Sequence, residues 1–263
     1  MDQETGISGV RPWYRRAFGP LYGRVYPHRD LAEARRDVAF LASLGLAGPV
    51  LDLACGAGRH LEALAERGLT AWGLDLSPDQ LAVCPRRGHV VRADHRRLPM
   101  AGGSVGTALS LFTSFGYLPD AAEDGAVLAE AARILAPGGA LVLDLPGATR
   151  LRQELVPRSE QCRDGLVIRS TRTLTEGGRR VVKRVEVLAE GAPGGGRGGG
   201  ATGGAAGPVR VAAWHEDVRL YERAELEELL VGAGLRPAGV WGDLAGAPWA
   251  ADAPRLVLLA RRA

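Results

Sequence analysis

The chain has 263 residues, 46% hydrophobic and 24% charged, a balance that suits one large α/β domain or a domain with a small insert and excludes disorder or collagen-like repeats for most of its length. Its net charge of +3 comes from dispersed arginines, with Lys183 the only lysine; without a dense run or a basic helix stripe, this argues against a nucleic-acid partner. No apolar run approaches the ~20 residues of a bilayer span, and the start MDQETGISGVRPWYRR lacks a signal-peptide pattern.

Cys55, Cys84 and Cys162 have neither the even count of a disulfide framework nor the paired spacing of a zinc site. The expectation is a cytoplasmic protein with reduced thiols, no metal and no membrane partner. In chain order, an aromatic-rich N-terminal segment (1–29) precedes a helix over 30–46, with Asp30 as its N-cap and Leu31, Ala34, Val38, Leu41 and Ala42 on one face. Short apolar runs then alternate with helical stretches: PVLDLA, RHLEALAERG, LTAWGLDL, SPDQLAVC, GHVVRAD, VGTALSLF, a helix near 121–136 stopped by PGG, and ALVLDLP. This alternation predicts a parallel sheet with crossover helices.

After the fifth strand the pattern changes. Residues 161–221 show two-residue alternation with a GG turn and no helix, which predicts an antiparallel insert. It contains GAPGGGRGGGATGGAAG (191–207), a tract with almost nothing to bury and expected to be a flexible loop. A helix over 223–234 and strands over 236–242 and 254–260 then resume the α/β order, so that 30–160 and 222–263 form one domain.

The sharpest signal is VLDLACGAGRH (50–60): a strand ending in Asp52, then a glycine loop that opens a helix. Gly56 and Gly58 let backbone approach a ligand, and the helix start offers N–H groups to a negative group. A dinucleotide loop needs G-x-G-x-x-G. Here the first position is Ala54 and the third glycine is absent. The next two strands end in Asp75, 23 residues after Asp52, and in Asp94. An acid at the second strand end is placed to accept from both ribose hydroxyls of an adenosine; capping the helix that begins at Ser77–Pro78 is the alternative for Asp75. Asp52 is expected to hold the glycine loop by accepting its N–H groups, and Cys55 to be a small loop residue.

With its three strand-end acids, Asp-Leu-Ala-Cys-Gly-Ala-Gly resembles motif I of the class I S-adenosylmethionine-dependent methyltransferases. The likeness continues through SLFTSFGYL, RILAPGGALVLDL and DVRLYERAELEELLVGAGL. It implies a Rossmann-like, mostly parallel seven-stranded sheet with helices on both faces and an antiparallel insert, as in small-molecule N-methyltransferases, some of which form homodimers through that insert. It also implies S-adenosyl-L-methionine as cofactor, held by Asp52, Ala54, Cys55, Gly56, Gly58, Asp75, Leu76, Asp94, His95 and Leu111. Tyr14 and Tyr22, from an N-terminal segment that folds over the cofactor in similar enzymes, belong to the same set. Two departures matter. Ser104, Val105 and Gly106 stand where many members carry an acid, and Asp144, Leu145 and Pro146 lack the asparagine-proline-proline-aromatic signature of base N-methylation.

Methyl transfer from a sulfonium needs alignment and water exclusion more than a dedicated base. His215, His95 and Tyr117 are the candidates for a general base. Ligands in such sheets sit beyond the strand carboxyl ends, so a small-molecule acceptor is expected over the fourth and fifth strands. It would be lined by Phe112, Thr113, Phe115 and Tyr117, with Trp214 and His215 from the insert as part of a lid.

Overall fold

The computed structural model describes residues 13–189 and 208–263, so the glycine tract at 191–207 lies outside the described residues. The chain divides into two compact units, Met1–Ala17 with Leu155–Asp217, and Phe18–Glu154 with Val218–Ala263.

In the larger unit, β1 (Val50–Leu53), β2 (Ala71–Asp75), β3 (Val90–Arg92), β4 (Val105–Ser110), β5 (Leu135–Pro146), β10 (Leu235–Trp241) and β11 (Arg255–Arg262) form one seven-stranded sheet in the order β10-β11-β5-β4-β1-β2-β3. All pairs from β3 to β5 are parallel, and β11 runs antiparallel to both its neighbours. Every residue of β1 and β4 is buried, as strands covered on both faces require. The strand order reverses between β1 and β4, which makes their carboxyl ends the natural crevice.

The expected helix over 30–46 is α3 (Leu31–Ser43), capped where the sequence placed its start: the Asp30 carboxylate accepts from the Glu33 N–H at 2.8 Å. Ala34, Val38 and Leu41 pack in the core with Leu61 and Leu64 of α4 (Arg59–Glu66). The helix expected to run to 136 is α6 (Ala121–Ile134), and the PGG after it already lies in β5. Leu135 turns extended (φ −65°, ψ 139°), so the helix ends before the glycines are reached.

In the smaller unit, β6 (Arg158–Arg163), β7 (Leu166–Thr175), β8 (Arg180–Ala189) and β9 (Val209–Arg219) form the antiparallel sheet in chain order. The strands begin at Arg158, so the compact unit opens at Leu155 rather than at 161 and closes at Asp217 rather than at 221. Residues Val218 to Tyr221 are buried in the larger unit instead, where the Tyr221 hydroxyl donates to the buried Asp124 carboxylate at 2.6 Å. The N-terminal segment, expected to be one piece over 1–29, divides between the units after Ala17.

Candidate active site

The loop between β1 and α4 makes a tight left-handed turn: Ala54, Gly56 and Gly58 have φ of 65°, 54° and 80°. The two glycines do different work. A Cβ on Gly58 would lie 2.3 Å from Cys84 Sγ, so this glycine admits close packing of protein against protein. A Cβ on Gly56 would meet nothing nearer than Gln80 Oε1 at 3.9 Å; it opens onto free space beside the loop. Cys55 turns its thiol inward, within 2.6 Å of where a Cβ on Gly73 would stand. Burial raises that thiol well above its ordinary value. The site is left with the Cys55 backbone alone.

The acids are arranged differently from expectation. Asp75, not Asp52, holds the loop: its Oδ2 accepts from the Gly56 N–H at 2.8 Å, and its Oδ1 accepts from Ser77 N–H at 2.8 Å. Burial raises its carboxyl, and these backbone bonds oppose the shift. Each carboxylate oxygen has a second lone pair, so both remain acceptors. Asp52 is 2% exposed, and its Oδ2 has no hydrogen-bond partner among the described residues. Burial pushes its carboxyl up to about 6, while His60 and Arg59 pull the other way. Behind it, His60 Nε2 lies 3.1 Å from the Asp37 carboxylate and His60 Nδ1 4.0 Å from Asp52. Asp94 is clasped by Arg96, whose Nε and Nη2 donate at 3.1 and 2.9 Å, and this holds its carboxyl down at about 2. Neighbouring His95 is half-buried, and desolvation lowers its imidazole. Leu76 is half-buried, and its carbonyl accepts from Arg92.

Beyond β4 the chain bends through two successive non-glycine residues with left-handed backbone, Phe112 (φ 58°) and Thr113 (φ 64°). Such conformations persist only where surroundings enforce them. The enforcing group is Asp144 of β5, fully buried: its Oδ2 accepts from the Phe112 N–H at 2.8 Å, its carbonyl from the Thr113 N–H at 3.0 Å, and its Oδ1 from Arg255 Nε at 2.7 Å. Arg255 Nη2 also donates to Thr113 Oγ1 at 3.3 Å. The Phe112 ring is thereby surrounded by guanidinium groups, with the central carbons of Arg59, Arg29 and Arg255 at 4.3, 4.8 and 5.6 Å from its centroid.

From the N-terminal side, α2 (Tyr22–Val25) brings Tyr22, whose hydroxyl accepts from Arg29 Nη1 and whose ring packs on Phe18 and Tyr26. The carbonyls of Phe18 and Gly19 accept from Ser77 Oγ and Gln80 Nε2, tying this segment to the loop after β2. Phe18 also stacks on Tyr117 with centroids 6.0 Å apart. Thus Phe112, Thr113, Tyr117 and Tyr22 lie half-buried around the carboxyl ends of β1, β2 and β4. Two residues named from the sequence are enclosed by protein here. Phe115 is 2% exposed and packs on Tyr221 in the core, centroids 5.5 Å apart, and Leu111 is likewise buried in the core.

Tyr14, Trp214 and His215 lie in the smaller unit. Trp13 sits between two of its rings, 5.8 Å from Tyr14 and 6.3 Å from the exposed His215. Successive strand residues face opposite ways. The Trp214 indole donates to Glu216 two residues on, at 3.2 Å, so Trp214 and His215 of β9 do not serve one face together. The sequence reading missed Arg29, Arg59 and Arg255. Only the position of Arg59, directly after the glycine loop, carried any local signal.

The match to a methyltransferase-domain model covers residues 50–139. The dTDP-3-amino-3,4,6-trideoxy-α-D-glucopyranose N,N-dimethyltransferase of Streptomyces venezuelae is 30% identical over 226 residues, 83% of this chain and 89% of that protein. The chain belongs to the class I S-adenosylmethionine-dependent methyltransferases. The dTDP-3-amino-3,6-dideoxy-α-D-glucopyranose N,N-dimethyltransferase of Streptomyces fradiae is 29% identical, with 89% of this chain and 90% of that protein covered. Among solved structures, SAM-bound CalS10, an amino pentose methyltransferase from Micromonospora echinaspora, superposes with a TM-score of 0.64 at 25% identity over 92% of this chain and 97% of that one. As a methyltransferase the chain uses S-adenosylmethionine, and its residues fit that molecule: an open cradle at Gly56, an unpartnered buried carboxylate oxygen on Asp52, and acids at the ends of β2 and near the end of β3. Among the described residues no helix is long and apolar enough to cross a membrane, and no cluster suits a metal ion.

Proposed function

We propose that the protein is an N-methyltransferase that adds methyl groups to the amino substituent of a nucleotide-linked amino sugar. The observation that carries this reading is the extent of similarity to the two sugar N,N-dimethyltransferases, which spans more than four fifths of the chain and so includes the antiparallel strands as well as the cofactor-binding half. Binding, orientation and water exclusion are what the chain contributes to methyl transfer, and these effects are worth about 7–11 kcal/mol in favourable geometry. The bound cofactor supplies an activated methyl group on a sulfonium.

In this reading Asp75 receives the ribose hydroxyls and Asp94 the adenine amino group, while Gly56 gives room for the sugar-to-sulfur link. Phe112, Thr113 and Tyr117 line the acceptor side. The acceptor amine attacks in its neutral form, and the ammonium formed with the new N–C bond releases its proton to solvent. The test is incubation with S-adenosylmethionine and a panel of dTDP-linked 3-amino and 4-amino sugars, read by mass spectrometry. Successive gains of about 14 Da, the mass of one methylene, on an amino sugar support the proposal. No gain on any amino sugar, with transfer to a hydroxyl substrate instead, overturns it. Asp75→Ala binding S-adenosylhomocysteine as tightly as the wild type removes the ribose assignment alone.

A further inference from the structure

We infer that Arg59 is the residue that binds the carboxylate of the cofactor's methionine end, a site carried by the first turn of α4 rather than by the N-terminal segment. The inference rests on the cofactor placement proposed above and extends it to the end of the molecule that the strand-end acids leave unassigned. With adenine at the end of β3 and ribose at the end of β2, the sheet order β4-β1-β2-β3 puts the amino-acid end beside β1 and β4. That is where Arg59 lies. It is the first residue of α4, immediately after Gly58, and its guanidinium carbon stands 4.3 Å from the centre of the Phe112 ring beyond β4.

The hydrogen bonding of this guanidinium is incomplete. Its Nη1 donates to the Glu33 carboxylate at 2.5 Å and to the Asp30 carbonyl at 3.5 Å, which fixes the plane of the group. Its Nη2 is buried and has no hydrogen-bond partner among the described residues. A buried donor left unsatisfied is unfavourable, and a guanidinium arm already oriented by one carboxylate is preorganised to receive a second. The open side of the α4 N-terminus favours the same sign of ligand. Asp52, at the other side of the loop, presents a buried unpartnered oxygen of opposite charge. A cation and an anion thus flank the loop as an α-amino acid requires. Arg29, 4.8 Å from the same ring, adds positive potential.

The experiment compares binding of S-adenosylmethionine and of decarboxylated S-adenosylmethionine, which keeps the adenosyl, sulfonium and amine groups, to wild type, Arg59→Gln and Arg59→Lys by calorimetry. The wild type should prefer the carboxylate-bearing molecule by tenfold or more. Arg59→Gln should weaken S-adenosylmethionine by tenfold or more while changing the decarboxylated molecule less than twofold; Arg59→Lys, which keeps the charge for Glu33, should fall between. Equal wild-type affinity for the two molecules, or an equal loss of both in the variants, overturns the assignment. Failure of the wild type to bind either molecule is a different result: it overturns the cofactor placement, and this inference with it.

Discussion

Arg255 Nε donates to Asp144 Oδ1 at 2.7 Å across 111 residues of chain, and Asp144 is fully buried while Arg255 reaches partly to solvent. The same carboxylate holds the left-handed turn at Phe112, one of the residues proposed above for the acceptor side. Removing one member of a buried ion pair leaves the other uncompensated, at a cost of about 3–5 kcal/mol. Arg255→Met should therefore lower unfolding stability by that order. Adding Asp144→Asn should restore most of it, since the amide oxygen still accepts from Phe112 N–H. Urea unfolding of the two variants decides the matter; a double variant no more stable than Arg255→Met would show that charge burial is not the cause.

The two loop glycines separate stability from binding. At Gly58 a Cβ meets Cys84 Sγ at 2.3 Å on a backbone with φ of 80°. Overpacking costs about 1–3 kcal/mol and left-handed strain about 1–2 kcal/mol, so Gly58→Ala should destabilise by about 2–5 kcal/mol, and Cys84→Ala should recover the packing share. Gly56→Ala carries only the left-handed strain, and its new methyl group projects into open space. Its main effect should be loss of S-adenosylhomocysteine affinity. Thermal melts with and without ligand measure both, and a Gly56→Ala protein that binds normally would place the cofactor elsewhere.

Much of this site was legible in the sequence because its signals are local. Asp52, the glycine loop and Asp75 lie in one strand-loop-helix-strand unit, and Asp30 caps α3 three residues from its partner. What was not legible depends on distant contacts. Arg29, Arg59 and Arg255 come from three separate parts of the chain to one ring, and no spacing rule connects them. Phe112 and Phe115 look interchangeable in SLFTSFGYL. The left-handed turn at Phe112 and Thr113 breaks the strand alternation, sending the second phenylalanine into the core and leaving the first among the arginines. The roles of Asp52 and Asp75 in holding the loop exchanged for a similar reason: the Gly56 N–H points to the neighbouring strand's acid, not to that of its own strand.

Asp52 gives the fold a pH signature. Burial pushes its carboxyl up to about 6, above the ordinary 3.8. Between those values the native protein holds a proton that the unfolded chain releases, so this group's contribution is fully present below about 4 and is lost as pH rises through 6. The change is at most about 3 kcal/mol. Asp52→Asn has no such proton to lose, so its stability relative to wild type should rise between pH 4 and 7. Denaturation profiles of the two proteins that run parallel over this range would contradict the assignment.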